Sequence, residues 1–164
     1  MYVLFVKLRS HPLIVFFMRP KEIPDAQLPP LLRKCWMRLN AIFQKRVREI
    51  GLTPDQYIAL RWLNELPTGT VYQLTLKNLM FTDSNNIAGL MARMERMSLI
   101  ERKADVSDRR KKLVFCTSKG KTLFDRAKKI AERLEEETMS ILSQEEREEF
   151  LGLLGEINRH LHPE

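Results

Sequence analysis

The chain has 164 residues, 44% of them hydrophobic and 30% charged, enough to bury one core and outside the range of collagen-like, mucin-like or wholly disordered chains. Its 28 Lys and Arg exceed its 21 Asp and Glu, and a net charge of +7 favours a polyanionic partner. Two cysteines, Cys35 and Cys116, are too few for a disulfide framework and fit a reducing, cytoplasmic setting.

The charge is unevenly spread. Residues 1–67 and 68–121 each carry 11 basic and 5 acidic side chains, whereas residues 131–164 carry 10 acidic against 3 basic. The densest basic stretch is Arg102–Lys112, with six cations and two acids in eleven positions.

Residues 1–29 read as an N-terminal extension. Its apolar runs Val3–Val6 and Leu13–Met18 are too short to cross a membrane, and Lys7, Arg9 and His11 interrupt the place of a signal-peptide core. Two expectations stay open here: translation that begins at Met18, or an extension that packs on the body or on a second subunit. After Pro29-Pro30, the spacing predicts a helix over Leu31–Ile50 that Gly51 ends. Thr53-Pro54-Asp55-Gln56 combines an N-cap, a first-turn Pro and a capping-box Gln, and opens a helix with Tyr57, Leu60 and Leu63 that stops before Pro67. Thr70-Val71-Tyr72-Gln73 reads as a second box, opening a short helix to Leu79. A tight connection at Phe81–Asp83 leads to a third helix from Ser84 to Met97.

Leu99–Ala104 and Lys112–Thr117 flank the charged loop Asp105–Arg110 and describe a β-hairpin. Thr117 then caps a long helix carrying Leu123, Ala127, Ile130 and Leu134, and Ser143–Glu146 opens a last one with Phe150, Leu154 and Ile157. The order predicts a mainly α fold with a small β-hairpin wing. It is a winged helix-turn-helix over residues 52–117, flanked by helical arms at 30–51 and 118–161.

If the third helix turns Ile87, Leu90, Met91 and Met94 inward, then Asn85, Gly89, Ala92 and Arg96 point away, flanked by Asn86 and Arg93. Amides and guanidinium groups on such a face bond base edges and phosphates, and the small residues permit close approach to a groove. Ser84, at the start of this helix, joins the set. The other reading is a solvated face on which Asn merely caps the helix. The hairpin places Arg109, Arg110 and Lys111 beside a narrow tip able to enter a minor groove, with Asp105 and Asp108 as turn formers or partners of an Arg.

Three stretches resemble the MarR (multiple-antibiotic-resistance regulator) family of bacterial transcription factors. These are Gly51-Leu52-Thr53 with Gln56 and Leu60, then Leu90 through Arg102, then Asp105-x-x-Asp108-Arg109-Arg110 with Leu113, Thr117 and Gly120. The resemblance covers residues 30–161. It implies a homodimer held by the first and last helices, double-stranded DNA as partner, and repression relieved by a small organic effector, a phenolic or lipophilic anion, or by an oxidant. It maps Asn85, Asn86, Gly89 and Arg93 to base reading, and Arg109 and Arg110 to the wing. Two departures stand out: Ser98 where a Gly is usual after the recognition helix, and Leu76-Lys77 where a small residue often follows the Leu.

Enzyme signatures are missing: the chain has no Gly-rich phosphate loop, no G-x-S-x-G and no H-E-x-x-H. No catalytic residue, metal site or cofactor is expected; His160-x-His162 lacks further ligands at recognisable spacing. Cys35, near Arg33, Lys34 and Arg38, is a redox candidate, yet the same apolar stripe with Trp36 and Leu39 would make it an inert core residue. Cys116, Met91, Met94 and Met97 read as packing. Phe124, Leu134, Met139, Ile141, Leu142, Phe150 and Leu154 exceed what one winged helix would cover, which points to dimerisation and to a ligand pocket between the arms and the DNA-binding lobe. The reading is a homodimeric cytoplasmic repressor. Its rivals are a cysteine-based redox regulator and a winged-helix protein–protein adaptor.

Overall fold

The computed structural model describes residues 27–108 and 110–161. The expectations about residues 1–26, Arg109 and His162 lie outside them. Six helices and one hairpin follow in order: α1 Leu28–Arg48, α2 Pro54–Glu65, α3 Gln73–Leu79, α4 Ser84–Arg96, β1 Ile100–Ala104, β2 Lys112–Cys116, α5 Ser118–Met139 and α6 Gln144–Leu161. Among the described residues no helix is long and apolar enough to cross a membrane.

The molecule divides at Leu39 into two compact units. In the first, α1 begins earlier than the sequence suggested, with Pro29 and Pro30 inside its first turn. Proline is tolerated there because the first helical N–H groups have no partner within the helix. Leu28, Leu31, Leu32, Trp36 and Met37 are all exposed on this half of the helix, and so is Cys35.

The second unit, from Asn40, is built around a core of Val47, Leu60, Leu76, Met91, Met94, Leu99 and Ile100, all at most 1% exposed. Tyr57 links the last part of α1 to α5, edge-on to Phe43 at 5.0 Å and stacked on Phe124 at 5.9 Å. The Thr53 box forms as read. Thr53 Oγ1 accepts from the Gln56 amide and Gln56 Oε1 accepts from the Thr53 amide. The Gln56 Nε2 then donates to Met97 Sδ at 3.3 Å.

The Thr70 box does not form. Tyr72 is the N-cap of α3 and makes no side-chain cap, while Thr70 Oγ1 donates to Pro67 O. The cause lies further along the chain. Val71–Tyr72 is held extended along β2 by a bridge to Leu113 and a bond from Val114 N to Val71 O. Helical dihedrals therefore cannot begin before Gln73. The hairpin is antiparallel, with Ile100 opposite Cys116 and Ala104 opposite Lys112. It is one residue shorter at each outer end than the sequence suggested, because Leu99 closes α4 and Thr117 caps α5.

The apolar residues expected to exceed the monomer's needs divide in two. Phe124 and Leu134 are buried within this unit, whereas Ile141 and Phe150 are 86% and 48% exposed. No residue of α6 is buried, and Leu151, Leu153, Ile157 and Leu161 are exposed along it.

Candidate nucleic-acid interface

The α4 helix turns Ile87, Leu90, Met91 and Met94 into the core and leaves Ser84, Asn85, Asn86, Arg93 and Arg96 exposed. Gly89 and Ala92 are half-buried. The helix starts at Asp83, which sequence reasoning overlooked although an Asp before Ser-Asn-Asn is a usual N-cap signal. Its Oδ1 accepts from the amides of Asn85 and Asn86, both at 2.8 Å. Its Oδ2 accepts from Asn86 Nδ2 at 2.6 Å. The cap thus falls to Asp83, while Asn85 keeps its side chain on the exposed face. The Asn86 side-chain amide is drawn back toward the cap by its Nδ2. A Cβ on Gly89 would lie 3.2 Å from Arg93 Nη1, so the missing side chain makes room for the guanidinium.

The far end of α4 is a Schellman close. Ser98 takes φ +58°, its amide donates to Glu95 O, and the Leu99 amide donates to Met94 O. Ser98 thus adopts the left-handed turn that Gly would take there without strain. Lys119 Nζ donates to Met97 O at 2.8 Å and adds a cation to the negative end of the helix.

The wing is organised by its two acids. Asp105 Oδ1 accepts from the amides of Ser107 and Asp108 and from Ser107 Oγ, while Oδ2 accepts from the Tyr72 hydroxyl at 2.7 Å. These donors, led by Ser107 and Tyr72, hold the carboxyl far below the usual carboxylate range. Asp108 Oδ1 accepts from the Arg110 amide and from Arg110 Nε, each at 3.1 Å, and this pairing lowers its carboxyl too. The loop closes with Asp105 N donating to Lys111 O and Lys111 N to Asp108 O. Both acids are thus turn formers, and Asp108 also steers Arg110, whose side chain is 92% exposed. Lys111 is exposed beside it.

Not every cation of the basic stretch faces outward. Arg102, only 19% exposed, donates from Nη2 to Glu95 Oε2 at 2.5 Å and from Nη1 to Gln73 Oε1 at 3.3 Å. It ties β1 to the last turn of α4 and the first of α3, and it depresses the Glu95 carboxyl. In the sequence Arg102 stands only as one of six cations in the basic stretch. Lys103 Nζ lies 5.2 Å from the Phe115 ring.

A recess of about 270 Å³ lies between α2, β2 and the start of α5, lined by Leu63, Asn64, Val71, Val114, Cys116 and Lys121 among others. Its lining takes in Ser118 and Lys121 of α5, so it lies where that helix meets the winged-helix lobe. Burial pushes the Cys116 thiol up, and Asn64 Nδ2 lies 3.5 Å from its sulfur. Among the described residues no three His, Cys, Asp or Glu side chains converge as metal ligands would.

Comparison with known proteins agrees with this arrangement. Residues 52–112 match the model of the MarR family. The chain is 30% identical over 129 residues to the transcriptional regulator HosA of Escherichia coli, covering 76% of this chain and 94% of that one. It is 33% identical over 135 residues to the HTH-type transcriptional repressor NicR of Pseudomonas putida, covering 82% and 84%. Among solved structures, Bordetella bronchiseptica BpsR superposes with a TM-score of 0.73 at 28% identity, covering 80% of this chain and 98% of that one. The structure of BpsR concerns regulation of its DNA binding by 6-hydroxynicotinic acid.

Proposed function

This chain belongs to the MarR family of winged helix-turn-helix transcriptional regulators, and from that premise we propose how it reads DNA. Two copies pair through α1 and α6, along which Leu32, Trp36, Phe150 and Ile157 are exposed. Residues 30–51 and 118–161 serve dimerisation, and residues 52–117 serve DNA. Ser84, Asn85, Asn86, Gly89 and Arg93 lie in the major groove, and Arg109, Arg110 and Lys111 reach the minor groove from the wing.

The observation that carries this reading is the polarity of α4. It has four buried apolar residues on one side, and on the other an exposed row of amides and guanidinium groups beside an acid-braced cationic hairpin. The protein is a repressor released by a small organic anion with one aromatic ring, a class suggested by the 6-hydroxynicotinic acid that regulates BpsR. No catalytic step is assigned to it.

Fluorescence anisotropy on the DNA upstream of its own gene, against a scrambled duplex at two salt concentrations, tests the reading. Preference for the native duplex that survives the higher salt, with two subunits per site, is expected. Replacing Arg109 and Arg110 by Ala should weaken binding and flatten the log–log salt slope by about 1 unit for each phosphate no longer neutralised. Equal, salt-sensitive binding to both duplexes would instead favour an adaptor that meets an acidic protein.

A further inference from the structure

The turn between α3 and α4 holds an aromatic residue where the backbone disfavours any side chain. Phe81 takes φ +48°, in the left-handed region. The turn requires that conformation: the Phe81 amide donates to Asn78 O at 3.1 Å and the Thr82 amide to Lys77 O at 3.2 Å, the two bonds of a Schellman close. Gly51, at φ +79°, occupies the same place after α1 without steric conflict, but Phe81 does not have that freedom. The ring is not buried in the core, since Phe81 is 80% exposed. A bulky residue so placed is strained in its backbone.

Its position sets it beside the reading face. Phe81 stands two residues before Asp83, the cap of α4, and three before Ser84. At 3.8 Å between successive Cα atoms it lies within about 11 Å of the start of that face. The carboxylate of Asp83 is already engaged by Asn85 and Asn86. The end of α4 that carries these exposed polar residues is therefore bordered by an exposed apolar ring. DNA offers apolar surface at that border: the deoxyribose faces along the groove edge and the thymine methyl groups inside it.

We infer that Phe81 is a DNA-contact residue, which packs its ring on the apolar deoxyribose and thymine-methyl surface at the mouth of the major groove. The inference rests on the proposed insertion of α4 into that groove. Burial of the ring on binding supplies affinity without neutralising a phosphate, so it adds nothing to the salt dependence.

The test is Phe81→Gly, with Phe81→Asn and Phe81→Leu, in the full chain on the operator duplex. Gly removes the backbone conflict, so its Tm should rise by about 2–4 °C while operator affinity falls by about tenfold at unchanged salt slope. Asn tolerates the left-handed conformation and should lose affinity like Gly, whereas Leu should keep most of it. A uracil-for-thymine duplex separates the two surfaces. If wild type loses affinity on uracil and Phe81→Gly does not, the ring meets methyl groups; if both respond alike, it meets deoxyribose.

Wild-type affinity in Phe81→Gly and Phe81→Asn would overturn the inference, and so would a loss accompanied by a flatter salt slope. Failure of the wild-type protein to prefer its operator is a different result, which would sink the DNA reading itself.

Discussion

Gly120 is the position where the wing, the recognition helix and α5 meet most tightly, and Gly120→Ala tests whether that junction holds the lobe together. An added Cβ would lie 2.1 Å from Leu99 O and 2.9 Å from Cys116 Sγ. The first neighbour is backbone and cannot swing away, so the start of α5 must retreat by about 1 Å to reach normal contact. That retreat stretches three bonds: Thr117 N to Leu99 O at 3.1 Å, Thr117 Oγ1 to Leu99 O at 3.1 Å, and Gly120 N to Thr117 Oγ1 at 3.0 Å. Overpacking of this kind costs about 1–3 kcal/mol. Loss of the Thr117 cap adds about 1 kcal/mol, and the better helix propensity of Ala returns at most about 1 kcal/mol. A net destabilisation of about 1–4 kcal/mol follows. It should be read from the urea midpoint at fixed protein concentration, because dimer stability depends on concentration. Gly89→Ala is the contrast, since its Cβ meets only the movable end of Arg93 at 3.2 Å. It should leave the midpoint unchanged or raise it, and should weaken operator binding by displacing that guanidinium. Equal midpoints for Gly120→Ala and wild type would refute the steric argument.

Three further outcomes follow from the geometry. Ser98→Gly removes a side chain from φ +58° and should stabilise the fold by about 0.5–1 kcal/mol, measured by the same urea titration. Glu95→Gln should free Arg102 from its internal partner, lowering the preference for operator over scrambled DNA and steepening the salt slope of nonspecific binding by up to about 1 unit. Asp105 and Asp108 have carboxyls lowered in the folded chain, so their contribution is present at neutral pH and is lost as the pH falls through their depressed values. The wing amides of Ser107 and Asp108 should therefore keep native NMR shifts through about pH 4, where ordinary carboxylates titrate, and change only below it.

Most of the fold was legible because its signals are local. The capping pair Thr53–Gln56, the Thr117 cap and the apolar period of α4 each lie within one or two helical turns, and each forms as the spacing implied. At Ser98 the place after the helix, and not the residue type, sets the backbone. What stayed hidden depends on distant partners. Thr70-Val71-Tyr72-Gln73 is a sound capping pattern, but it loses to a strand pairing whose other half arrives with Leu113 and Val114. Phe124 and Phe150 look alike in a helical period, yet only Phe124 meets Tyr57 and becomes core.

The same limit applies to the site. Six cations in Arg102–Lys112 looked like one electrostatic patch, but Arg102 reaches Gln73 across 29 residues of chain and Glu95 across 7. Tyr72 reaches Asp105 across 33. These bonds turn part of the apparent charge into bracing. Arg102 ties the wing strand to both helices of the helix-turn-helix, and Tyr72 fixes the acid that shapes the tip. A count of cations therefore overstates how many phosphates the wing can meet. Charge removal on the outward set of Arg110, Lys111 and Lys112 should act on the salt slope, whereas changes at Arg102 or Tyr72 should act on the geometry with which that set is presented.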